Sequence, residues 1–95
     1  MPFADTSAIE QSDPEGAYRI FLVMAPDDLQ RVGDMVFDRL LADLDDLGAS
    51  LVWAREHVED RAIRADLARR GFTERSRFTP HGHREMVVLD RHLPA

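Results

Sequence analysis

Between Tyr18 and Ala25 the chain reads Tyr-Arg-Ile-Phe-Leu-Val-Met-Ala, and from Ile20 onward both alternating faces of an extended segment are apolar. A strand of that kind is covered on both sides, as in the interior of an α/β sheet. A sheet with one wet face shows apolar and polar residues in alternation instead. Pro26 ends the segment, and Asp27 and Asp28 follow where negative charge meets the positive end of a helix dipole. From about Asp28 to Leu47, the residues Leu29, Val32, Val36, Leu40, Leu44 and Leu47 recur at steps of three or four and form one apolar stripe, which Phe37 and Leu41 widen. Gly48 sits where a helix end favours a left-handed residue.

The remainder alternates in the same manner. Residues 50–55 form a second strand with Leu51, Val52, Trp53 and Ala54. A helix from about Asp60 to Arg70 buries Ile63 and Leu67 and stops at Gly71. Residues 72–78 read as a polar edge strand, and residues 84–91, carrying Met86, Val87, Val88 and Leu89, as its hairpin partner. The fold class is therefore α/β, a single β-α-β-α-β-β domain over residues 17–95 with a mixed sheet. Lettering the strands in chain order, right-handed crossovers make A and B parallel and the final hairpin adds C and D, giving the order A-B-D-C. Residues 1–16 are polar and read as a flexible arm. A short strand near Ser7 to Gln11 has Ala8 and Ile9 to bury, and a turn at Asp13-Pro14-Glu15-Gly16 lets it fold back.

Composition excludes several functions. Phosphate contacts dominate nucleic-acid binding, and the formal net charge of −6 opposes them, so no nucleic-acid partner is expected. The absence of cysteine removes disulfides, thiol nucleophiles and thiolate metal sites. The apolar run from Ile20 to Ala25 falls far short of the roughly 18 residues of a membrane span, and the first residues lack a basic signal region. No membrane association and a cytoplasmic location are expected. His81-Gly82-His83 reads as a solvated turn, and no metal site is expected.

One stretch is more specific. Residues 49–56, Ala-Ser-Leu-Val-Trp-Ala-Arg-Glu, lead to Asp60-Arg-Ala-Ile-Arg-Ala-Asp-Leu-Ala-Arg-Arg-Gly-Phe72 and a closing strand pair ending Val88-Leu89-Asp90. This succession resembles the C-terminal half of the GNAT N-acetyltransferase superfamily, over residues 17–95. The resemblance implies a truncated GNAT fold with acetyl-CoA as cofactor. It implies that the backbone at Leu22, Val23 and Met24 holds the pantetheine and that the turn formed by Gln30, Arg31, Val32, Gly33, Asp34 and Met35 holds the pyrophosphate. Free N–H groups at a helix start suit such an anion, and glycine permits close approach. Asp60 stands where the family has an asparagine beside the pantetheine. Read without the family, Gly33 is a small residue at a crowded helix start, and Asp60 a plain helix cap.

The chain also departs from the family. With Gln30 and Gly33 fitting the family's pattern, Met35 replaces a second small residue; read in the other register, Gly33 is the second glycine and Arg31 replaces the first. In both, Asp34 sets a negative charge beside the expected pyrophosphate. Leu67 occupies the position of a tyrosine that serves as general acid, so no catalytic residue is assigned. The first strands and two helices that shape the acceptor-amine site have no counterpart. Strand A would then border the sheet while being its most apolar strand, a hazard that natural proteins cover. The N-terminal arm, a second copy or another chain must lie along residues 18–25 to cover it, and a homodimer, the commonest closed solution, is expected. The functional expectation is an acetyltransferase-like protein whose site a dimer partner or second chain completes. The alternative is a non-catalytic remnant of the fold serving as an interaction or regulatory module.

Overall fold

A computed structural model of the chain describes residues 7–12, 14–22 and 26–93. Its elements, in chain order, are β1 (Ser7–Ser12), β2 (Ala17–Leu22), α1 (Pro26–Asp46), β3 (Leu51–His57), α2 (Arg61–Arg69), β4 (Thr73–Phe78) and β5 (Met86–His92). They build a mixed α/β domain around one five-stranded sheet in the order β1-β2-β3-β5-β4. The expected A-B-D-C succession is present as β2-β3-β5-β4. Pro26 opens α1 instead of merely ending the strand before it, as suits a residue with fixed φ and no N–H to leave unsatisfied. The last residues expected of strand A, Val23 to Ala25, lie outside the described residues.

Strand A does not border the sheet. β1 pairs antiparallel with β2 along its whole length, from Ser7↔Leu22 to Ser12↔Ala17. The short strand foreseen in the arm thus covers the edge for which a second copy was invoked, and a bare β2 edge is no longer an argument for a dimer. Among the described strands the borders are instead β1, Ser-Ala-Ile-Glu-Gln-Ser, and β4, Thr-Glu-Arg-Ser-Arg-Phe, both polar. Charged, short borders of this kind resist edge-to-edge association.

The turn between β1 and β2 is tied to the rest of the sheet. Gly16 has φ +86°, and its carbonyl accepts from the N–H of Ser50 at 2.9 Å and of Leu51 at 3.2 Å. A Cβ on Gly16 would lie 2.6 Å from the Ser50 hydroxyl, so both backbone conformation and space demand glycine. Trp53 adds a further tie by donating its ring N–H to the Ser12 hydroxyl at 2.8 Å.

Both helices lie on one face of the sheet. Val36, Phe37, Leu40 and Leu44 of α1 and Leu67 of α2 close over Ile20, Val52, Ala54, Val87 and Leu89. Phe37 meets Phe72, just beyond α2, edge to face with centroids 5.9 Å apart. Leu47 departs from the expected stripe: α1 ends at Asp46, Gly48 turns the chain at φ +73°, and Leu47 is left 52% exposed.

Deleting residues 1–12 uncovers the apolar β2 edge. The truncated protein should form oligomers or aggregates in size-exclusion chromatography with light scattering. A monomer melting at the parent temperature would contradict the covering role of β1.

Candidate functional site

The seam between β2 and β3 is where the sheet comes apart. The two strands pair in parallel at Ala17↔Leu51, Tyr18↔Val52 and Arg19↔Trp53, and there the ladder stops. β2 nevertheless continues against β1 to Leu22, and β3 continues against β5 to His57. Residues 20–22 and 54–57 therefore face one another across a widening wedge without pairing. Their inward N–H and C=O groups require other partners, from water or from a ligand. Leu22, expected to hold a pantetheine through its backbone, lies on this wedge; Val23 and Met24 lie outside the described residues.

The segment expected to hold a pyrophosphate takes a different form. Gln30, Arg31, Val32, Gly33, Asp34 and Met35 are helical, in the second and third turns of α1, and form no turn ahead of it. In an α-helix only the first four residues have N–H groups without an intrahelical acceptor; here these are Pro26, which has none to offer, Asp27, Asp28 and Leu29. The amides of residues 31–35 belong to the helix ladder. Two aspartates at the start stabilise the helix dipole yet oppose an incoming anion. Arg31 lies nearby, and its guanidinium donates to Asp28 at 2.7 Å.

Gly33 has a structural reason to be small. A Cβ there would lie 3.0 Å from a guanidinium nitrogen of Arg70 and 3.3 Å from a Leu29 methyl. Arg70, at the exit of α2, sits over the Phe37 ring at 4.6 Å and donates to Asp66 at 2.7 Å and Asp34 at 2.8 Å. Asp34 thus has a cationic partner within the chain. Arg69 donates to Asp66 as well. In this clasp the Arg70–Asp66 pair, with side-chain exposures of 11% and 8%, is a largely dry contact within the end of α2, while the bond that reaches α1 goes to Asp34, whose side chain is 81% exposed. Arg70→Ala leaves Asp66 with only the exposed Arg69. It should lower stability by about 2–4 kcal/mol in urea unfolding, and a loss under about 0.5 kcal/mol would show that the clasp holds nothing together.

Two other family positions resolve clearly. Leu67, in place of the family's tyrosine, is fully buried among core side chains and offers no proton. Asp60 precedes α2, but its φ of −80° and ψ of 71° aim no side-chain oxygen at the helix, and no cap hydrogen bond forms. The expected cap is absent, and the Asp60 carboxylate is exposed beside the end of β3.

Sequence reading passed over Glu56. It follows Val52 and Ala54 at strand spacing, a carboxylate continuing an apolar file into the wedge. Burial, reinforced by Asp60 and partly offset by Arg19, pushes its carboxyl up to about 7 from the ordinary 4.5. A carboxyl poised there can take up or release a proton near neutral pH. The available signal was that polar residue on the buried parity of β3. Because the folded value lies above the unfolded one, folding favours the protonated form; the contribution is full below 4.5 and is lost as pH rises through about 7. Glu56→Gln should melt close to the parent at about pH 4 and be more stable by about 1 kcal/mol at about pH 8, after allowance for solvent screening. Equal melting at the higher pH would show that the carboxylate is not strained.

No family model matches the chain, and no curated protein matches it. Solved structures do. The ribosomal-protein-S18-alanine N-acetyltransferase from Escherichia coli superposes with a TM-score of 0.69 at 15% identity, covering 95% of this chain and 63% of its own. A GNAT-family acetyltransferase from Bacillus anthracis gives a TM-score of 0.73 at 14% identity, covering 90% and 56%. The NatC complex bound to Gag peptide and CoA gives 0.73 at 11% identity, covering 93% and 58%. The present chain thus spans about three fifths of the length of the structures it matches. At these identities the likeness is one of fold, and it extends over almost every described residue. The chain has the GNAT acetyltransferase fold in truncated form.

Proposed function

We propose that this protein is an acetyltransferase-like, GNAT-type chain that binds acetyl-CoA along the wedge between β2 and β3, with a second chain completing the site. The observation that carries the reading is the end of the β2–β3 ladder after Arg19↔Trp53. A pantetheine arm is a string of amides and methylenes, and the free backbone groups of residues 20–22 are suited to pair with it as an added strand would. Leu22 is part of that backbone, and Val23 and Met24, which follow it in the sequence, are the further residues proposed to hold the pantetheine. The pyrophosphate then meets the start of α1, with Arg31 and Gln30 on the exposed surface one turn in. Glu56 is the group best placed to accept a proton from an amine. The short sheet leaves the acceptor site to another subunit, either a second copy or a different chain. Among the described residues no helix is long and apolar enough to cross a membrane, which is consistent with action in the cytoplasm.

A second reading has its own support. Leu67 in the core, the aspartates at the start of α1 and the Arg70 clasp over Gly33 all favour structure over cofactor chemistry. They suit a fold retained as a protein-interaction or regulatory module.

Thermal shift with acetyl-CoA separates the two. Ligand at about 100 times its dissociation constant stabilises the folded state by about 2.7 kcal/mol, which for a domain of this size raises the melting temperature by roughly 10 °C or more. That rise supports the cofactor reading; no shift at millimolar acetyl-CoA removes it and leaves the module.

A further inference from the structure

Among the described residues no element covers the sheet face opposite the helices, although a parallel strand pair is ordinarily covered on both sides. Phe21, Trp53, Phe78, Met86 and Val88 lie along it, each half-buried. Two cations rest on these side chains. The Arg19 guanidinium lies 4.1 Å from the Phe21 ring centroid and 5.3 Å from that of Trp53, and Arg55 lies 5.8 Å from Phe78. Neither arginine has a carboxylate at ion-pair distance among the described residues, while Asp90 on the same face is held by Arg75 at 2.7 Å. Arg19 Nε and His57 Nδ1 are buried there without a hydrogen-bond partner. Burial, and then the neighbouring Arg55, hold the Arg19 guanidinium below its ordinary value, with Glu10 and Glu56 offsetting in part. Glu10 stands directly across from Arg19 in the β1–β2 register without closing to ion-pair distance, so the counter-charge on this face is Glu10 and the already engaged Asp90, and Arg55 is left without a neighbouring carboxylate partner among the described residues.

We propose that this face docks an amphipathic helix of a different polypeptide, its apolar stripe seated on Trp53 and Val88 and its carboxylates on Arg19 and Arg55. A helix is the usual cover of an α/β sheet face. Charge complementarity selects the partner: two copies joined face to face by two-fold symmetry would set the same unpaired arginines against each other. The acidic α1 of a second copy has no apolar stripe to offer, because Val36, Phe37, Leu40 and Leu44 are buried in its own core. The inference does not require acetyl-CoA to bind, and its test is run without the cofactor, so the two can fail separately.

The test places a benzophenone side chain at Val88 of the full chain in its native cells, with a second version carrying it at Leu47 on the helical side. Irradiation should join the Val88 version to one different polypeptide, through a segment with apolar residues at three- and four-residue spacing and carboxylates between them. The adduct should fall about tenfold in Arg19→Glu and Arg55→Glu versions, as loss of a buried interfacial charge pair demands. Arg55 is exposed, so the single Arg55→Glu version, checked for an unchanged melting temperature, carries the comparison if the Arg19 change unfolds the protein. The purified chain should sediment as a monomer. Adducts to a second copy, adducts to a segment without carboxylates, yields indifferent to the charge reversals, or no adduct specific to Val88 would each overturn the proposal.

Discussion

The backbone of β2 sets the terms for the whole molecule. Every N–H and C=O along a strand interior to a sheet needs a partner on one side or the other, and leaving one dry and unpaired costs about 1–3 kcal/mol. β1 meets that need along one side of β2 from end to end. β3 meets it on the other side for three residues and then turns aside. The first fact makes the sheet self-sufficient at its most apolar strand. The second leaves the backbone groups of residues 20–22 and 54–57 on that side without strand partners, and the proposed cofactor site is built on them.

What holds the cleft in shape is the packing behind it. The helices close over Ile20, Val52, Ala54, Val87 and Leu89, so both strands that flank the wedge are anchored in one core at the point where they part. Arg70, held by Asp66 at the end of α2, reaches α1 through Asp34 and the Phe37 ring and fills the space that Gly33 leaves. The same contact bears on function. It places a cation near the second turn of α1, where the family resemblance implied an anion site, and it neutralises Asp34 from within the chain. The open face on the other side of the sheet has no such closure, and its arginines rest on aromatic rings in place of carboxylates.

Much of this was legible in the sequence, for identifiable reasons. The doubly apolar run after Tyr18 announced a strand covered on both faces, of which the described helices cover only the Ile20 side and leave Phe21 half-buried. The three- and four-residue spacing announced α1, and glycines at 48 and 71 marked helix ends that the structure gives positive φ. The arm is legible as a strand through Ala8 and Ile9 and as one possible cover for strand A, but the choice between the arm and a second copy is tertiary information, and the structure settles it for the arm. The family resemblance puts Gly33 in an anion-binding turn, whereas read on its own it is a small residue at a crowded helix start, and the structure bears out the second. The cause of the crowding is the approach of Arg70, thirty-seven residues away, which no local window reveals. Asp60 had the composition of a cap without the backbone angles for one. Glu56 showed its oddity only against the buried parity of β3, and its burial depends on a divergence of strands that periodicity cannot register.

The account rests on the parting of β2 from β3, and amide hydrogen exchange measured by NMR tests it most directly. If the strands part after Arg19 and Trp53, protection should alternate with a period of two in residues 20–22 and 54–57: amides facing β1 or β5 slow, amides facing the wedge fast. Uniformly slow exchange through both segments would mean a closed ladder with no cleft, and would contradict it.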